Sequence, residues 1–191
     1  FEREFAAYKD VSAQGVAAVN SCTAALHVSM IAAGLGPGDE VITSAMTFCA
    51  TVNAIIHAGA TPVLADIDPV TLNIDPRDVE ARITPRTRAI LPVHFAGRPC
   101  EMDVLMKLAD KHGLKVIEDC AHAIETEYRG RRAGTFGDFG CFSFYVTKNL
   151  VTGEGGMVLA RNTKDIERVK MLALHGMSKD AWRRFSDSGY K

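Results

Sequence analysis

A lysine at the end of an aromatic, strand-like run is the first residue whose surroundings could give it chemistry. Lys148 follows Phe142-Ser143-Phe144-Tyr145-Val146-Thr147 and precedes Gly153-Glu154-Gly155-Gly156. Burial lowers the pKa of a lysine because the charged form loses its hydration, and a neutral ε-amine is a nucleophile toward carbonyl groups. The pattern therefore predicts a buried lysine that can bind an aldehyde, with an exposed loop lysine as the alternative.

Two adjacent carboxylates follow another apolar run. Glu118 and Asp119 come directly after Val116-Ile117 and before Cys120-Ala121-His122. Neighbouring residues of a strand point to opposite faces of the sheet, so only one of the two carboxylates can face a given pocket. The alternative is a carboxylate that caps or braces a loop.

A third polar segment joins a predicted strand to a predicted helix. It reads Asn20-Ser21-Cys22-Thr23-Ala24-Ala25. The start of a helix presents unpaired N–H groups and a positive dipole end to an anion, and the hydroxyls of Ser21 and Thr23 could add donors. A simple N-cap explains the same residues.

Taken together, these segments match the requirements of one cofactor. Pyridoxal phosphate needs a lysine for its aldehyde, a carboxylate that keeps its ring nitrogen protonated, and an anchor for its phosphate. The sequence therefore predicts a pyridoxal phosphate site, provided that the fold brings the three segments together.

The elements that would position these residues alternate regularly along the chain. Apolar runs predict strands at 15–20, 40–43, 61–66, 88–93, 114–117, 139–146 and 156–160, and helical spacing predicts helices at 22–33, 48–57, 76–82, 103–112 and 165–175. This alternation predicts an α/β fold of three layers, with a mostly parallel sheet between helices on both faces. Such sheets bind ligands at the carboxyl ends of their strands, where all three polar segments lie.

Charge and hydropathy exclude several classes of partner. The 191 residues contain 22 Lys and Arg against 23 Asp and Glu, so no basic excess favours nucleic acid or anionic lipid. The uncharged stretches 11–38 and 41–65 are interrupted by polar side chains and do not predict a membrane span. The first residues lack the pattern of a secretory signal, so the expected location is the cytoplasm.

The cysteines and histidines predict neither disulfides nor a metal site. The five cysteines are at least 20 positions apart, which favours buried free thiols, and the histidines lack metal-ligand spacing. They are Cys22, Cys49, Cys100, Cys120 and Cys141.

The ordered set of motifs resembles the DegT/DnrJ/StrS nucleotide-sugar aminotransferases over nearly the whole chain. The matching segments are Asn20-Ser21-Cys22-Thr23-Ala24-Ala25-Leu26-His27, Pro37-Gly38-Asp39-Glu40-Val41-Ile42, Thr47-Phe48, Glu118-Asp119-Cys120-Ala121-His122, Phe142-Ser143-Phe144 through Lys148, Gly153-Glu154-Gly155-Gly156 and His175-Gly176-Met177. The resemblance implies the large-domain architecture of aspartate aminotransferase (fold type I), with pyridoxal 5'-phosphate as cofactor.

The resemblance also implies a role for each matching residue. Lys148 would bind the cofactor covalently and move the proton, and Asp119 would pair with the pyridine nitrogen. In the rest of the cofactor-binding set, Phe48 would stack on the ring, His122 would lie near the ring hydroxyl, and Thr23, Ala24 and Ser143 would hold the phosphate. His122 stands where many relatives carry Gln.

The implied reaction transfers an amino group from an amino acid, usually L-glutamate, to a nucleotide-linked keto-sugar in polysaccharide or aminosugar biosynthesis. Residues 1–191 would form the cofactor-binding large domain, a fragment without the N-terminal segment and the C-terminal small domain. The family implies a homodimer with shared active sites.

Several alternative functions remain open from the sequence. A non-catalytic regulator or sensor could use the same fold, and related sugar dehydratases carry histidine in place of the lysine, which Lys148 argues against. The glycines of 34–38 and 134–137 are weak nicotinamide-binding candidates, since the first group follows a helix and the second precedes none. A cysteine hydrolase would need Cys120 and His122 to face each other.

Overall fold

The computed structural model describes residues 1–177. The predicted large domain also includes residues 178–191, which lie outside the described residues. The strands are β1 (Val16–Val19), β2 (Glu40–Ser44), β3 (Thr61–Ala65), β4 (Thr87–Leu91), β5 (Lys115–Asp119), β6 (Glu127–Tyr128), β7 (Arg131–Arg132), β8 (Phe139–Ser143) and β9 (Gly156–Ala160). The α-helices are α1 (Glu2–Tyr8), α2 (Cys22–Ala32), α3 (Cys49–His57), α4 (Pro76–Ala81), α5 (Met102–His112) and α6 (Thr163–Ala173). Short 3₁₀ turns occupy Ala13–Gly15 and Phe95–Gly97.

Seven strands form one sheet in the order β1-β9-β8-β5-β4-β2-β3, and β6 and β7 form a separate hairpin. Strand β9 runs antiparallel to its neighbours β1 and β8, whereas the pairs from β8 through β3 are parallel. The prediction of a mostly parallel sheet is confirmed. The carboxyl ends of β2, β4, β5 and β8 therefore meet at one edge.

Apolar side chains cover both faces of this sheet. In β4, Ala89 and Leu91 pack in the cluster that contains the buried residues of α2, α3 and α6, while Ile90 between them packs in the cluster of α4 and α5. A third cluster joins α1 to β8 through Phe5 and Phe142. Because both faces are covered, the last three residues of β4, Ala89-Ile90-Leu91, form an apolar run without polar alternation.

Most predicted elements are confirmed to within two residues at each end, and three details differ. Strand β8 ends at Ser143 and not at residue 146, because its partner β9 begins at Gly156, which pairs with Ser143. Helix α1 and the β6-β7 hairpin were not predicted. Each is short, and α1 buries only Phe5 and Ala6.

The expectation of buried thiols is wrong at one position. Cys49 is exposed because it occupies the first position of α3 at the surface, whereas the other four thiols are buried. No helix within residues 1–177 combines the length and apolar character that crossing a membrane requires.

Candidate active site

A cavity of about 550 Å³ lies at the carboxyl edge of the parallel strands. Six of the predicted site residues line it, namely Thr23, Phe48, Asp119, His122, Ser143 and Lys148. Ala24 is the predicted site residue that does not line it. The fold thus brings the carboxylate, the lysine and the start of α2 together, as the sequence predicted.

Alternation along β5 separates the two adjacent carboxylates. Asp119 lies on the face of Ile117, toward α2 and α3, and Glu118 lies on the face of Val116, toward α5. Asp119 is 4% exposed and lines the cavity, whereas Glu118 is 0% exposed. Only Asp119 is therefore available to a bound molecule.

Neutral donors hold the Asp119 carboxylate. Oδ2 accepts a hydrogen bond from Thr51 Oγ1 at 2.8 Å, and Oδ1 accepts one from the N–H of Ala121 at 3.0 Å. The thiol of Cys22 lies 4.0 Å from Oδ1, and burial followed by the charge of Asp119 raises its pKa well above the usual value, so it stays protonated. A buried carboxylate with neutral partners is stabilised by any cation that reaches it.

This donor set suits a protonated pyridine nitrogen. A carboxylate has about four acceptor sites, and the three donors leave one free on Oδ2. The residues present therefore fit the ring of pyridoxal phosphate at this point of the cavity.

Glu118 braces a loop behind the cavity. Its Oε1 accepts from the N–H groups of Phe136 and Gly137, both at 2.7 Å, and its Oε2 accepts from the N–H of Gly134 at 2.8 Å. The glycine-rich segment 134–137, weighed above as a dinucleotide loop, thus binds a carboxylate of its own chain. The loop-bracing alternative is correct for Glu118.

A buried histidine completes the Glu118 cluster. His94 Nδ1 accepts from the N–H of Cys100 at 3.1 Å, so Nε2 carries the proton and donates to Glu118 Oε2 at 3.0 Å. His94, Glu118 and Cys120 present ligand atoms within 4.8 Å of one another. Because these hydrogen bonds already occupy His94 and Glu118, the cluster is a structural connection between loops.

Cys120 does not have the properties of a nucleophile. Its side chain is 1% exposed, while His122 is on the exposed side of the chain. Burial raises the pKa of the Cys120 thiol to about 11. The geometry therefore does not support a Cys120 and His122 hydrolase.

Lys148 lies in the loop after β8, and its side chain is half-buried. Its burial lies between the predicted buried lysine and the exposed alternative, because residues 145–147 have already left the sheet and are exposed. Desolvation and then the positive charge of Lys148 lower the pKa of His122. Both side chains therefore belong to the same electrostatic environment at the cavity wall.

The start of α2 forms the other end of the cavity. Ser21 is the N-cap, and its Oγ accepts from the N–H of Ala24 at 3.1 Å. The N-cap interpretation is therefore correct for Ser21, which engages the N–H of Ala24. Thr23 is exposed and Ser143 is half-buried, so both hydroxyls are open to the cavity.

Gly156 allows β9 and the start of α2 to approach each other. It pairs with Ser143 on one side and with Val19 on the other, so it lies between the two hydroxyl-bearing segments. A Cβ at this position would lie 2.4 Å from the carbonyl carbon of Ser21 and 2.8 Å from the N of Cys22. Only glycine fits this contact.

The sequence analysis predicted Phe48 as a site residue but did not predict Thr51. Phe48 is the N-cap of α3 and is 75% exposed, so it presents a flat apolar face to the cavity. Thr51, one turn later, was missed. The available signal was a second threonine four positions after Thr47, close to the predicted start of the helix. In the structure Thr47 lies just before the N-cap of α3, and its Oγ1 is 2.7 Å from that of Thr51.

Comparisons with known proteins agree with this geometry. The family model of the DegT/DnrJ/EryC1/StrS aminotransferase family matches residues 1–190. The chain is 57% identical over 189 residues to the spore coat polysaccharide biosynthesis protein SpsC of Bacillus subtilis (strain 168), covering 99% of the chain and 48% of that protein. It is 46% identical over 185 residues to the GDP-perosamine synthase of Caulobacter vibrioides, covering 97% and 49%. The chain thus spans about half the length of the curated relatives it matches.

A solved structure shows the same fold. The crystal structure of DesV from S. venezuelae, in complex with a ketimine intermediate, superimposes with a TM-score of 0.87 at 45% sequence identity, covering 91% of this chain and 47% of that one. The predicted fold type I architecture is confirmed.

Proposed function

The chain belongs to the DegT/DnrJ/EryC1/StrS aminotransferase family, and from this premise we propose that it forms the cofactor-binding part of a sugar aminotransferase. Pyridoxal phosphate is the proposed cofactor, an amino acid such as L-glutamate the donor, and a nucleotide-linked keto-sugar the acceptor. The observation that carries the proposal is Asp119, a buried carboxylate with neutral partners and a free acceptor site, in the same cavity as Lys148.

The acceptor class rests on what the relatives are called. One relative is named for spore coat polysaccharide biosynthesis and another as a GDP-perosamine synthase. A synthase of a GDP-linked amino sugar acts on a nucleotide sugar, so we propose the same substrate class here, in surface-polysaccharide or aminosugar biosynthesis.

Each proposed role follows from the position of the residue. When bound, pyridoxal phosphate supplies a ring that accepts electron density from the bond being broken. The Oδ2 of Asp119 would hold the proton on the ring nitrogen. In other enzymes the loss of one preorganised electrostatic group costs about 3 kcal/mol of transition-state stabilisation. The Nζ of Lys148 would bind the cofactor and move the proton of the substrate.

The remaining proposed contacts hold the cofactor in place. Phe48 offers the flat face on which the ring would stack. The hydroxyls of Thr23 and Ser143 would bind phosphate oxygens beside the positive end of α2. The N–H of Ala24 would join them by exchanging its hydrogen bond to Ser21 Oγ for one to the phosphate. His122 would lie near the ring hydroxyl.

We also propose that the site is completed by protein outside these residues, as the homodimer and the small domain of the family imply. Phe48 and Tyr145 line the cavity and are 75% and 45% exposed, and Val146 and Val151, in the segment between β8 and β9, are 62% and 49% exposed. Such a patch is typical of a surface that another protein segment covers.

The experiment is an amino-transfer assay of the full-length protein with pyridoxal phosphate, L-glutamate and a panel of nucleotide-linked keto-sugars. We expect one keto-sugar to be aminated by the wild type and by Lys164→Ala, a control in the exposed first turn of α6. Lys148→Ala should abolish the reaction. Full activity in Lys148→Ala would contradict the proposal, and cofactor binding without transfer to any keto-sugar would favour a sensor.

A further inference from the structure

We propose that Thr51, assisted by Thr47, is a positioning residue that orients the Asp119 carboxylate toward the cofactor ring. The inference rests on the proposed function, because it assigns a role within the same site. Both threonines line the cavity, and the side chain of Thr51 is 1% exposed.

The direction of the hydrogen bonds follows from the chemistry of the groups. Asp119 is 4% exposed, and its Oδ2 accepts from Thr51 Oγ1 at 2.8 Å. A hydroxyl has a single proton, so Thr51 can only accept in its second contact, in which Thr47 Oγ1 lies 2.7 Å away. The two hydroxyls therefore form a directed chain from Thr47 through Thr51 to Asp119.

This chain fixes the rotation of the carboxylate. The N–H of Ala121 holds Oδ1 at 3.0 Å, and Thr51 holds Oδ2 from the side of α3. With both oxygens anchored on different elements, the carboxylate cannot turn about its terminal bond, which is otherwise a soft rotation. The free acceptor site on Oδ2 is thus held in one direction.

Neutral donors are suited to this task. A cationic donor would compete with a protonated ring nitrogen for Asp119, whereas a hydroxyl stabilises the carboxylate without adding charge. Thr51 therefore orients Asp119 and leaves its negative charge available.

A matched control separates positioning from packing. Thr43 in β2 is 0% exposed, and its Oγ1 donates to the carbonyl of Leu91 at 2.9 Å, but it does not line the cavity. Thr43→Val and Thr51→Val each replace one buried hydroxyl by a methyl group, so both should destabilise the fold. Only Thr51→Val should affect the cofactor.

The test uses full-length protein and measures the dissociation constant of pyridoxal phosphate by its visible absorption, together with the melting temperature of the apo-protein. Thr51→Val should raise the dissociation constant about tenfold, since a hydrogen bond to a charged group contributes about 1.5 kcal/mol or more. Thr51→Ser should restore binding to within about twofold of the wild type, because it keeps the hydroxyl. Thr47→Val should have a smaller effect than Thr51→Val.

Two outcomes would overturn the inference while leaving the proposed function standing. In one, Thr51→Val binds cofactor as tightly as Thr43→Val does. In the other, Thr51→Ser is as impaired as Thr51→Val. A wild-type protein that binds no pyridoxal phosphate would instead overturn the proposed function, and the inference with it.

Discussion

Replacement of Glu118 by Gln isolates the buried carboxylate that does not face the cavity. Its two oxygens accept four hydrogen bonds, from the N–H groups of Gly134, Phe136 and Gly137 and from His94 Nε2. Gln is nearly isosteric but carries an NH₂ group in place of one oxygen. Each oxygen of Glu118 accepts two of these hydrogen bonds, so whichever way the amide turns, its NH₂ group faces two N–H donors.

The histidine cannot relieve this conflict by changing its tautomer. His94 Nδ1 already accepts from the N–H of Cys100 at 3.1 Å, so its proton must stay on Nε2, opposite Glu118. Two hydrogen bonds to a charged acceptor are lost, each worth about 1.5 to 3 kcal/mol, so we expect Glu118→Gln to lower the free energy of unfolding by about 3 to 6 kcal/mol. That is a large part of the roughly 5 to 15 kcal/mol that is typical of a domain.

Urea unfolding of the apo-protein measures this loss, and a second glutamate provides the control. Glu80 forms an exposed ion pair with Lys111 at 2.7 Å, with side chains 49% and 61% exposed. Glu80→Gln makes the same chemical change at an ion pair that water screens, so it should lower the free energy of unfolding far less than Glu118→Gln does. If Glu118→Gln were as stable as Glu80→Gln, the argument that Glu118 holds segment 134–137 in place would be refuted.

Three further changes test other parts of the structure. Gly156→Ala should weaken pyridoxal phosphate binding in an absorption titration, because its Cβ would lie 2.4 Å from the backbone of Ser21. The control Gly36→Ala should bind the cofactor normally, because its Cβ would approach no atom closer than 3.9 Å. Burial lowers the pKa of Lys9 from 10.5 to about 8, so the unfolded chain binds more protons between these values. The stability of the wild type relative to Lys9→Met should therefore rise as the pH increases from about 8 toward 10.5, and a flat difference in urea unfolding would contradict this. Asp119→Asn should keep the cofactor covalently bound but slow amino transfer by about 10²-fold or more, measured as kcat, because an amide cannot stabilise a protonated ring nitrogen as a carboxylate does; an unchanged rate would assign that role elsewhere.

The sequence was sufficient for the features that depend on local pattern. Alternation along β5 predicted that Glu118 and Asp119 would face opposite sides, and the structure places them so. Helix α5 ends at Gly113 in the left-handed conformation, as its position after the last helical residue predicted. Periodicity and turn residues depend on only a few neighbouring positions, so the sequence alone is enough to predict their effect.

Features that depend on distant contacts could not be predicted in the same way. The partners of Glu118 lie in segment 134–137, and nothing in the spacing shows that its N–H groups turn inward. The direction of β9 was also undetermined, because the segment between Ser143 and Gly156 is long enough for either a hairpin or a crossover. The half-buried position of Lys148 follows from that same segment leaving the sheet after Ser143.

The covalent attachment of the cofactor tests the central claim most directly. Full-length protein is incubated with pyridoxal phosphate, reduced with borohydride, digested and analysed by mass spectrometry. We predict that the reduced cofactor is found on the peptide that contains Lys148, and that Lys148→Ala gives no adduct while still binding cofactor through the contacts of Phe48 and Ser143. An adduct on a different lysine, or none on a protein that performs the transfer, would contradict the account.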